Sequence, residues 1–305
     1  MQTVGRFAPS PSGRMHLGNV LCALLAWLSA RHQNGAFLLR IEDLDAMRCP
    51  RSYADLIMDD LRWLGLDWDG EVPYQSERAP IYEKYEQILR EKGLLYPCFC
   101  SRAALHAASA PHLSDGRVLY AGPCRELTPA EIEEKRKKRA PATRVRVPDE
   151  IISFTDGVFG AYSENLAEEC GDFIIRRSDG VFAYQLAVTV DDGLSGVTEV
   201  VRGSDLISST PRQIWLYRLF GFEPPHFVHI PLLCDVDGRR LSKRDEDLDL
   251  GLLRERFTPE QVIGALAFAA HLTDRAEPAS VRELVQDFDW SRIPKHELCL
   301  PPMFR

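Results

Sequence analysis

The chain has 305 residues, 45% hydrophobic and 27% charged, a balance that excludes disordered, collagen-like and coiled-coil chains and leaves room for about two domains. Forty-five acidic residues outweigh 37 basic ones, for a net charge of −8, which argues against indiscriminate coating of nucleic acid, because that rests on excess Lys and Arg. The longest apolar runs, 20–28 and 262–270, fall well short of the about 20 residues of a membrane helix. The opening MQTVGRFAPSPSG lacks the apolar stretch of a secretion signal. A cytoplasmic protein without a membrane partner is therefore expected, its eight cysteines serving as thiols or metal ligands rather than disulfides.

Val4 to Ala8 reads as a strand, Pro9 to Gly13 as a tight loop, and Val20 to Ala30 as a helix buried on most sides. Ala36 to Ile41, after the turn pair Asn34-Gly35, is a second strand, so the start predicts a parallel βαβ unit. Helices follow at Ser52 to Leu64, stopped by Gly65, and Arg78 to Lys92, stopped by Gly93. From Tyr96 to about Pro148 the chain turns rich in Cys, His, Pro and Ala and reads as an insertion. Strand patterns return at Phe173 to Ile175, Phe182 to Val190 and Val197 to Val201. Thr128-Pro129-Ala130-Glu131 and Thr258-Pro259-Glu260-Gln261 are both capping boxes, the second opening a helix to about Leu272.

His16-Leu17-Gly18-Asn19 sits at the mouth of the first helix. A helix N-terminus presents orphan N–H groups and partial positive charge, which suits phosphate. Gly18 would let a nucleotide approach the backbone, and His16 could hydrogen-bond a phosphoryl oxygen. Far along the chain, an apolar stretch, 230–236, and an Asp237-Gly238 turn lead into Arg240-Leu241-Ser242-Lys243-Arg244. Three cations and a serine in a loop suit a polyphosphate. Alone, the first block also fits a plain helix start and the second a solvated basic loop.

Together and in this order, the two blocks resemble the HIGH and KMSKS elements of class I aminoacyl-tRNA synthetases. RFAPSPSGRMHLGN, LLRIEDLD, LRWLGLDWD, VTVDD and VVRGSDLISSTPRQ, met in that order, sharpen the resemblance to the glutamyl branch. Sixty-two residues follow Lys243, too few for the large helical anticodon-binding domain that glutamyl-tRNA synthetases carry there. The chain thus resembles more closely the tail-less paralogues, the glutamyl-Q tRNA(Asp) synthetases, and YPCFCSR also looks like that family.

That resemblance implies a ligase. It would activate L-glutamate with ATP and Mg²⁺, without needing tRNA, and transfer the glutamyl group to the queuosine base in the anticodon loop of tRNA(Asp). A truncated glutamyl-tRNA synthetase charging a 3′ end and a non-catalytic tRNA-binding paralogue are the alternatives. By resemblance, His16 and Lys243 are the catalytic donors, and Gly18, Asn19, Arg240, Leu241, Ser242 and Arg244 complete the ATP site. Asn19 stands where HIGH has its second His and cannot carry its charge. Arg240 replaces the first Lys of KMSKS, keeping charge in a different geometry. The positions matching the family's amino-acid site are Arg6, Glu42, Tyr184 and Arg202, with Ser10 beside them. Glu42 would take the ammonium, the arginines a carboxylate each, and Tyr184 would add a hydroxyl.

In the insertion, Cys98-Phe99-Cys100 and Cys124 suggest one structural zinc per chain, which takes four ligands. Chemistry alone nominates His106 or His112 as the fourth; the family pattern points to Tyr120. Three buried thiols acting as small apolar residues are the other reading. The basic run Lys135 to Arg139 reads as a tRNA contact or as the stabilised end of a helix through Glu131–Lys135, Glu133–Lys137 and Glu134–Lys138 pairs. The fold expected is α/β. It is a class I synthetase Rossmann-like parallel sheet in halves 1–95 and 181–250, a zinc-bearing insertion at 96–180 and a short helical part at 251–305. A monomer is expected.

Overall fold

In the computed structural model, which describes residues 2–101, 119–235 and 249–304, the N-terminal pattern folds as strand, helix and strand. β1 (Val4–Phe7) runs into the proline-rich loop, α1 (Leu17–His32) returns the chain, and β2 (Ala36–Leu39) pairs with β1 in parallel, Val4 opposite Ala36 and Phe7 opposite Leu39. α1 is buried around most of its circumference, from Leu17 through Ala30, which is why its sequence lacks an amphipathic stripe. α2 (Arg51–Trp63) and α3 (Ala79–Glu91) follow. Gly65 (φ 78°) and Gly93 (φ 70°) end them in left-handed conformations, which glycine adopts without steric cost.

β3 (Leu95–Cys98), α4 (Pro129–Arg136) and β4 (Ala142–Val145) come next, then the hairpin β5 (Ile151–Asp156) and β6 (Gly160–Asn165), then β7 (Phe173–Arg176). Strands β3, β4 and β7 form an antiparallel sheet in that order. In α4 the ion pairs that form are Glu133–Arg136 and Glu134–Lys137, three residues apart rather than four. Glu131 is drawn instead into the capping box with Thr128.

Phe182 to Val190 is not a strand. Tyr184–Leu194 is a helix, α5, with seven consecutive buried residues from Leu186 to Asp192. A helix buried on most sides shows no 3.6-residue period, so its Val- and Thr-rich text reads as a strand until packing overrides it. β8 (Glu199–Gly203), α6 (Thr210–Phe220) and β9 (His226–Ile230) make a second parallel unit, with Arg202 opposite His229. β8 lies beside β1, where the Thr198 N–H donates to the Val4 carbonyl at 2.9 Å. β10 (Leu233–Cys234) pairs with β11 (Leu298–Cys299), and between them run α7 (Leu250–Arg256), α8 (Pro259–Ala269) and α9 (Val281–Val285).

The larger core joins α1, β1, β2 and α2 to α8 and α9; a second joins α3, the β4–β7 region, α5 and α6. No disulfide joins any of the eight cysteines, all of which lie among the described residues. No helix among the described residues is long and apolar enough to cross a membrane.

Gly264 marks the tightest contact of the C-terminal helices. A Cβ there would lie 1.9 Å from the Glu277 carbonyl oxygen and 3.1 Å from the Ala279 nitrogen. Alanine normally gains about 1 kcal/mol over glycine in a helix. We expect Gly264→Ala to lose about 1–3 kcal/mol instead, through overpacking, measured as a lower urea midpoint. An unchanged midpoint would show that segment 277–279 yields without cost.

Candidate active site

A cavity of about 680 Å³ opens beyond the carboxyl ends of β1, β2 and β8, where open α/β sheets bind ligands. It gathers all five residues expected to hold the amino acid: Arg6 of β1, Ser10 of the loop, Glu42 after β2, Tyr184 at the start of α5 and Arg202 of β8. It also gathers His16, Gly18 and Asn19 from the mouth of α1. Arg240 to Arg244, with Lys243, lies outside the described residues, as do His106 and His112. Of the residues flanking that basic segment, Leu233 and Asp249 both line the cavity.

The helix mouth is built by its own three residues. His16 is the N-cap, and its Nδ1 accepts the Gly18 N–H at 3.1 Å. Asn19 Oδ1 accepts the His16 N–H at 3.3 Å, completing a capping box. A ring nitrogen that accepts carries no proton, so the neutral imidazole bears its hydrogen on Nε2. A Cβ on Gly18 would come within 3.0 Å of the His16 ring. Glycine thus leaves the His16 ring room for its capping position. Asn19 is placed by the cap, which explains how an amide can stand at this position.

Around Glu42 the pocket wall is a closed charge network. Asp192, at the end of α5, receives Arg6 Nε at 3.2 Å and Arg40 Nη1 at 2.6 Å. Arg40 also donates to Glu42 at 3.1 Å and lies 3.6 Å from Asp191. Asp191 is further held by Gln75, Arg78 and Tyr82, each at 2.8 Å. Burial alone would raise the Asp192 carboxyl pKa, but Arg40 and Arg6 hold it below the usual range. For Glu42 burial wins over Arg40 and the pKa rises. Three arginines here face three carboxylates.

Arg202 is different. It is 5% exposed, yet its hydrogen bonds go to uncharged partners: His229 Nε2 at 3.0 Å, Gln213 Oε1 at 2.8 Å, Thr210 Oγ1 at 2.6 Å and the Tyr184 hydroxyl at 3.3 Å. Among the described residues no carboxylate forms an ion pair with it. His229 is itself oriented by Asp156, whose Oδ2 lies 2.6 Å from Nδ1. Burial holds the His229 pKa below the usual value, with Asp156 opposing and Arg202 reinforcing.

Cys98, Cys100 and Cys124 converge with their sulfurs within 4.8 Å of one another. They are the one such ligand cluster among the described residues. Cys100 and Cys124 are 3.7 Å apart, close to the about 3.8 Å that two ligands of a tetrahedral zinc with 2.3 Å bonds would show. The Tyr120 hydroxyl lies 3.5 Å from Cys98 Sγ and accepts the Cys124 N–H at 3.1 Å. Arg144 stacks over the Tyr120 ring and donates to Cys98 Sγ at 3.2 Å. Burial would raise the Cys98 thiol, but Tyr120, the Cys100 backbone and Arg144 bring it down. Burial and the neighbouring Cys98 push Cys100 up to about 12. Such a crowd of sulfurs fits a thiophilic cation, whose charge would hold the thiolates together.

Residue-by-residue reading missed Arg40, Asp191, Asp192, Gln213, His229 and Asp156. The signal for the first three was present: charges embedded in the apolar text LLRIE and VTVDD. Buried charges need partners, and several in one protein point to one another.

Residues 2–295 match the family of tRNA synthetases class I (E and Q), catalytic domain. The chain belongs to that family and is a ligase. Its relatives narrow the branch. It is 49% identical to the glutamyl-Q tRNA(Asp) synthetase of Symbiobacterium thermophilum over 97% of this chain and 95% of that one. It is 46% identical to the protein of the same name from Nitratidesulfovibrio vulgaris, with the same coverage. A glutamate tRNA ligase from Elizabethkingia meningosepticum, solved in complex with its amino acid, superposes with a TM-score of 0.85 at 28% identity, covering 100% of this chain and 68% of that one. The glutamyl-Q resemblance of the separate sequence blocks is thus borne out along the chain.

The charge network yields a stability prediction. Arg40→Gln leaves Asp192, Glu42 and Asp191 short of a cation in a dry interior. The expected loss is about 3–5 kcal/mol at pH 7, measured by urea denaturation. A loss below about 1 kcal/mol would show that the carboxylates find other partners.

Proposed function

We propose that this cavity binds L-glutamate and ATP, forms glutamyl-adenylate without tRNA, and passes the glutamyl group to the queuosine base in the anticodon loop of tRNA(Asp). The carrying observation is the charge of the pocket. The Arg6, Arg40 and Arg78 charges are met by Glu42, Asp191 and Asp192, whereas the buried Arg202 has no ion-pair partner among the described residues. A buried guanidinium held only by uncharged groups suits a ligand carboxylate. Glutamate carries two carboxylates and one ammonium; glutamine carries one carboxylate fewer. Glu42 takes the ammonium, Arg6 and Arg202 take a carboxylate each, and Ser10 closes the mouth. Tyr184 accepts from Arg202, so its own hydroxyl proton is left to donate. Glutamine would leave a buried guanidinium without its anion, a costly arrangement.

In the reaction an α-carboxylate oxygen attacks the α-phosphorus of ATP. The bond to the bridging oxygen breaks and pyrophosphate leaves. Charge builds on phosphoryl oxygens, where one preorganised donor is worth about 2.7–4 kcal/mol. His16, its Nε2–H outward from the cap, is one such donor. Lys243 is the other, with Arg240, Leu241, Ser242 and Arg244 beside it, by resemblance. Gly18 and Asn19 frame the helix mouth for the phosphates. Mg²⁺ accompanies ATP and offsets polyphosphate charge. The acceptor then attacks the adenylate carbonyl and AMP leaves.

Coverage of 95% of a glutamyl-Q relative at 49% identity supports this acceptor over a tRNA 3′ end. The three cysteines and Tyr120 hold a structural zinc that fastens the insertion; the work is cytoplasmic, where the thiols stay reduced.

ATP–pyrophosphate exchange with glutamate, with and without tRNA, tests the proposal. Exchange without tRNA supports it. Exchange only with tRNA favours a truncated charging enzyme, and none in either tube favours a binding protein. Arg202→Ala is expected to raise the glutamate KM about 100-fold, equivalent to about 2.7 kcal/mol; an unchanged KM would remove it from the site. For the metal, elemental analysis is expected to find one zinc per chain, lost in Cys124→Ser. Protein purified without chelator and holding none would overturn the zinc assignment.

A further inference from the structure

Behind Arg202 lies a buried pair that no step above uses. His229 is the cross-strand partner of Arg202 in the parallel β8–β9 ladder and is 0% exposed. Asp156 reaches it from the last position of β5, at the turn end of the β5–β6 hairpin. Each oxygen of that carboxylate is filled. Oδ1 accepts the Val158 and Phe159 N–H groups at 3.0 and 2.9 Å. Oδ2 accepts the His229 N–H at 3.0 Å and faces its Nδ1 at 2.6 Å.

The tautomer follows from the partners. Arg202 Nε–H can only donate, so His229 Nε2 must accept. Thr210 Oγ1, which accepts from Arg202 Nη2, has its own proton to offer Nε2 at 3.3 Å. Nδ1 therefore carries the ring hydrogen and donates it to Asp156. The ring cannot turn away from this duty. It stacks on Phe227 at 11° with centroids 6.4 Å apart, and Phe154 stands 6.4 Å off on a tilted plane.

We propose that His229, held by Asp156, is a positioning residue: it fixes the Arg202 guanidinium through an uncharged acceptor, leaving its positive charge for the substrate carboxylate. This deepens the glutamate reading above and rests on it. A carboxylate in place of the imidazole would satisfy the same N–H but cancel the charge. An apolar residue would leave the N–H buried and unpaired. A neutral histidine avoids both: burial and the Arg202 charge disfavour a second proton, and Asp156 fixes the tautomer by accepting the Nδ1 hydrogen, which leaves Nε2 as the acceptor. The negative charge of Asp156 stays one ring away from Arg202, pinned by three backbone N–H groups. The same pair ties the β5–β6 hairpin to the amino-acid pocket, since the end of β5 supplies the carboxylate that orients the ring.

The test compares His229→Leu, which fills the space without an acceptor, with His229→Gln, whose amide oxygen reaches the Nε2 position. Glutamate and ATP KM values are read from ATP–pyrophosphate exchange, and thermal midpoints are recorded alongside. The expected result is a glutamate KM raised at least tenfold in His229→Leu, an ATP KM within twofold of the parent, and recovery of most of the glutamate effect in His229→Gln. A glutamate KM within twofold in His229→Leu overturns the proposal. So do parallel rises in both KM values, which a general loosening of the fold would give. Should His229→Leu not fold, nitrogen-15 spectra of histidine-labelled parent protein decide at pH 7.5. An Nδ1–H, Nε2-acceptor ring supports the proposal; a ring protonated at Nε2 overturns it. A parent enzyme whose exchange ignores glutamate overturns the substrate reading itself, whereas glutamate dependence in the parent together with an indifferent His229→Leu overturns the positioning role alone.

Discussion

Asp192 is the point on which the pocket turns. Its carboxylate, 1% exposed, joins Arg6 of β1 to Arg40 just beyond β2. Two adjacent parallel strands are thereby locked to the end of α5, the helix whose first residue, Tyr184, faces the cavity. Asp191 beside it gathers Gln75, Arg78 and Tyr82, so α3 and the turn before it hang on the same helix end. Buried ion pairs seldom add much net stability, because desolvation offsets attraction. Their effect here is geometric: Arg6 and Glu42 cannot change position without breaking a network that has no water to replace it.

The network also decides what charge is left. If Arg202 had met a carboxylate of its own, its charge would already be answered within the protein. It meets instead an imidazole, an amide, a hydroxyl and a phenol. These satisfy donors without cancelling charge. Two arginines of similar burial, Arg6 and Arg202, thus carry different electrostatic duties, and the difference lies in their partners.

The site was legible in the sequence to the degree that its residues are local. His16, Gly18 and Asn19 fall within four consecutive residues, and a helix mouth is a local object. Arg6, Glu42 and Arg202 stand in blocks whose apolar flanks mark strand ends, and parallel strands bring their carboxyl ends together. What stayed hidden was hidden for a physical reason. α5 is buried all round, so hydrophobic periodicity could not distinguish it from a strand. His229 sits in the apolar text HFVHIP and reads as a core residue. Asp156 precedes a glycine and reads as a turn former. Neither residue carries a local signal, because their meaning is a contact across 73 positions of sequence.

One further constraint binds the C-terminal part to the helix mouth. Asp249 forms an isolated bridge with His16, and the Leu250 N–H donates to the Met15 carbonyl at 3.0 Å. Arg14, from the loop before α1, and Arg254, from α7, share the fully buried Asp60 of α2 at 2.8 Å each. A Cβ on Gly251 would come 2.7 Å from Arg14 Nη1, so glycine leaves the room that Arg14 needs to reach Asp60. The chain that follows the basic segment is thus fastened at two points to the residues that cap α1. On the proposed reading, the helix mouth and the basic segment would meet one ligand, and that requires a common frame. The Arg14–Asp60–Arg254 clamp joins the loop before α1, α2 and α7 through a single carboxylate, so the ion pairs that matter most here are those that join distant segments, not those that decorate the surface.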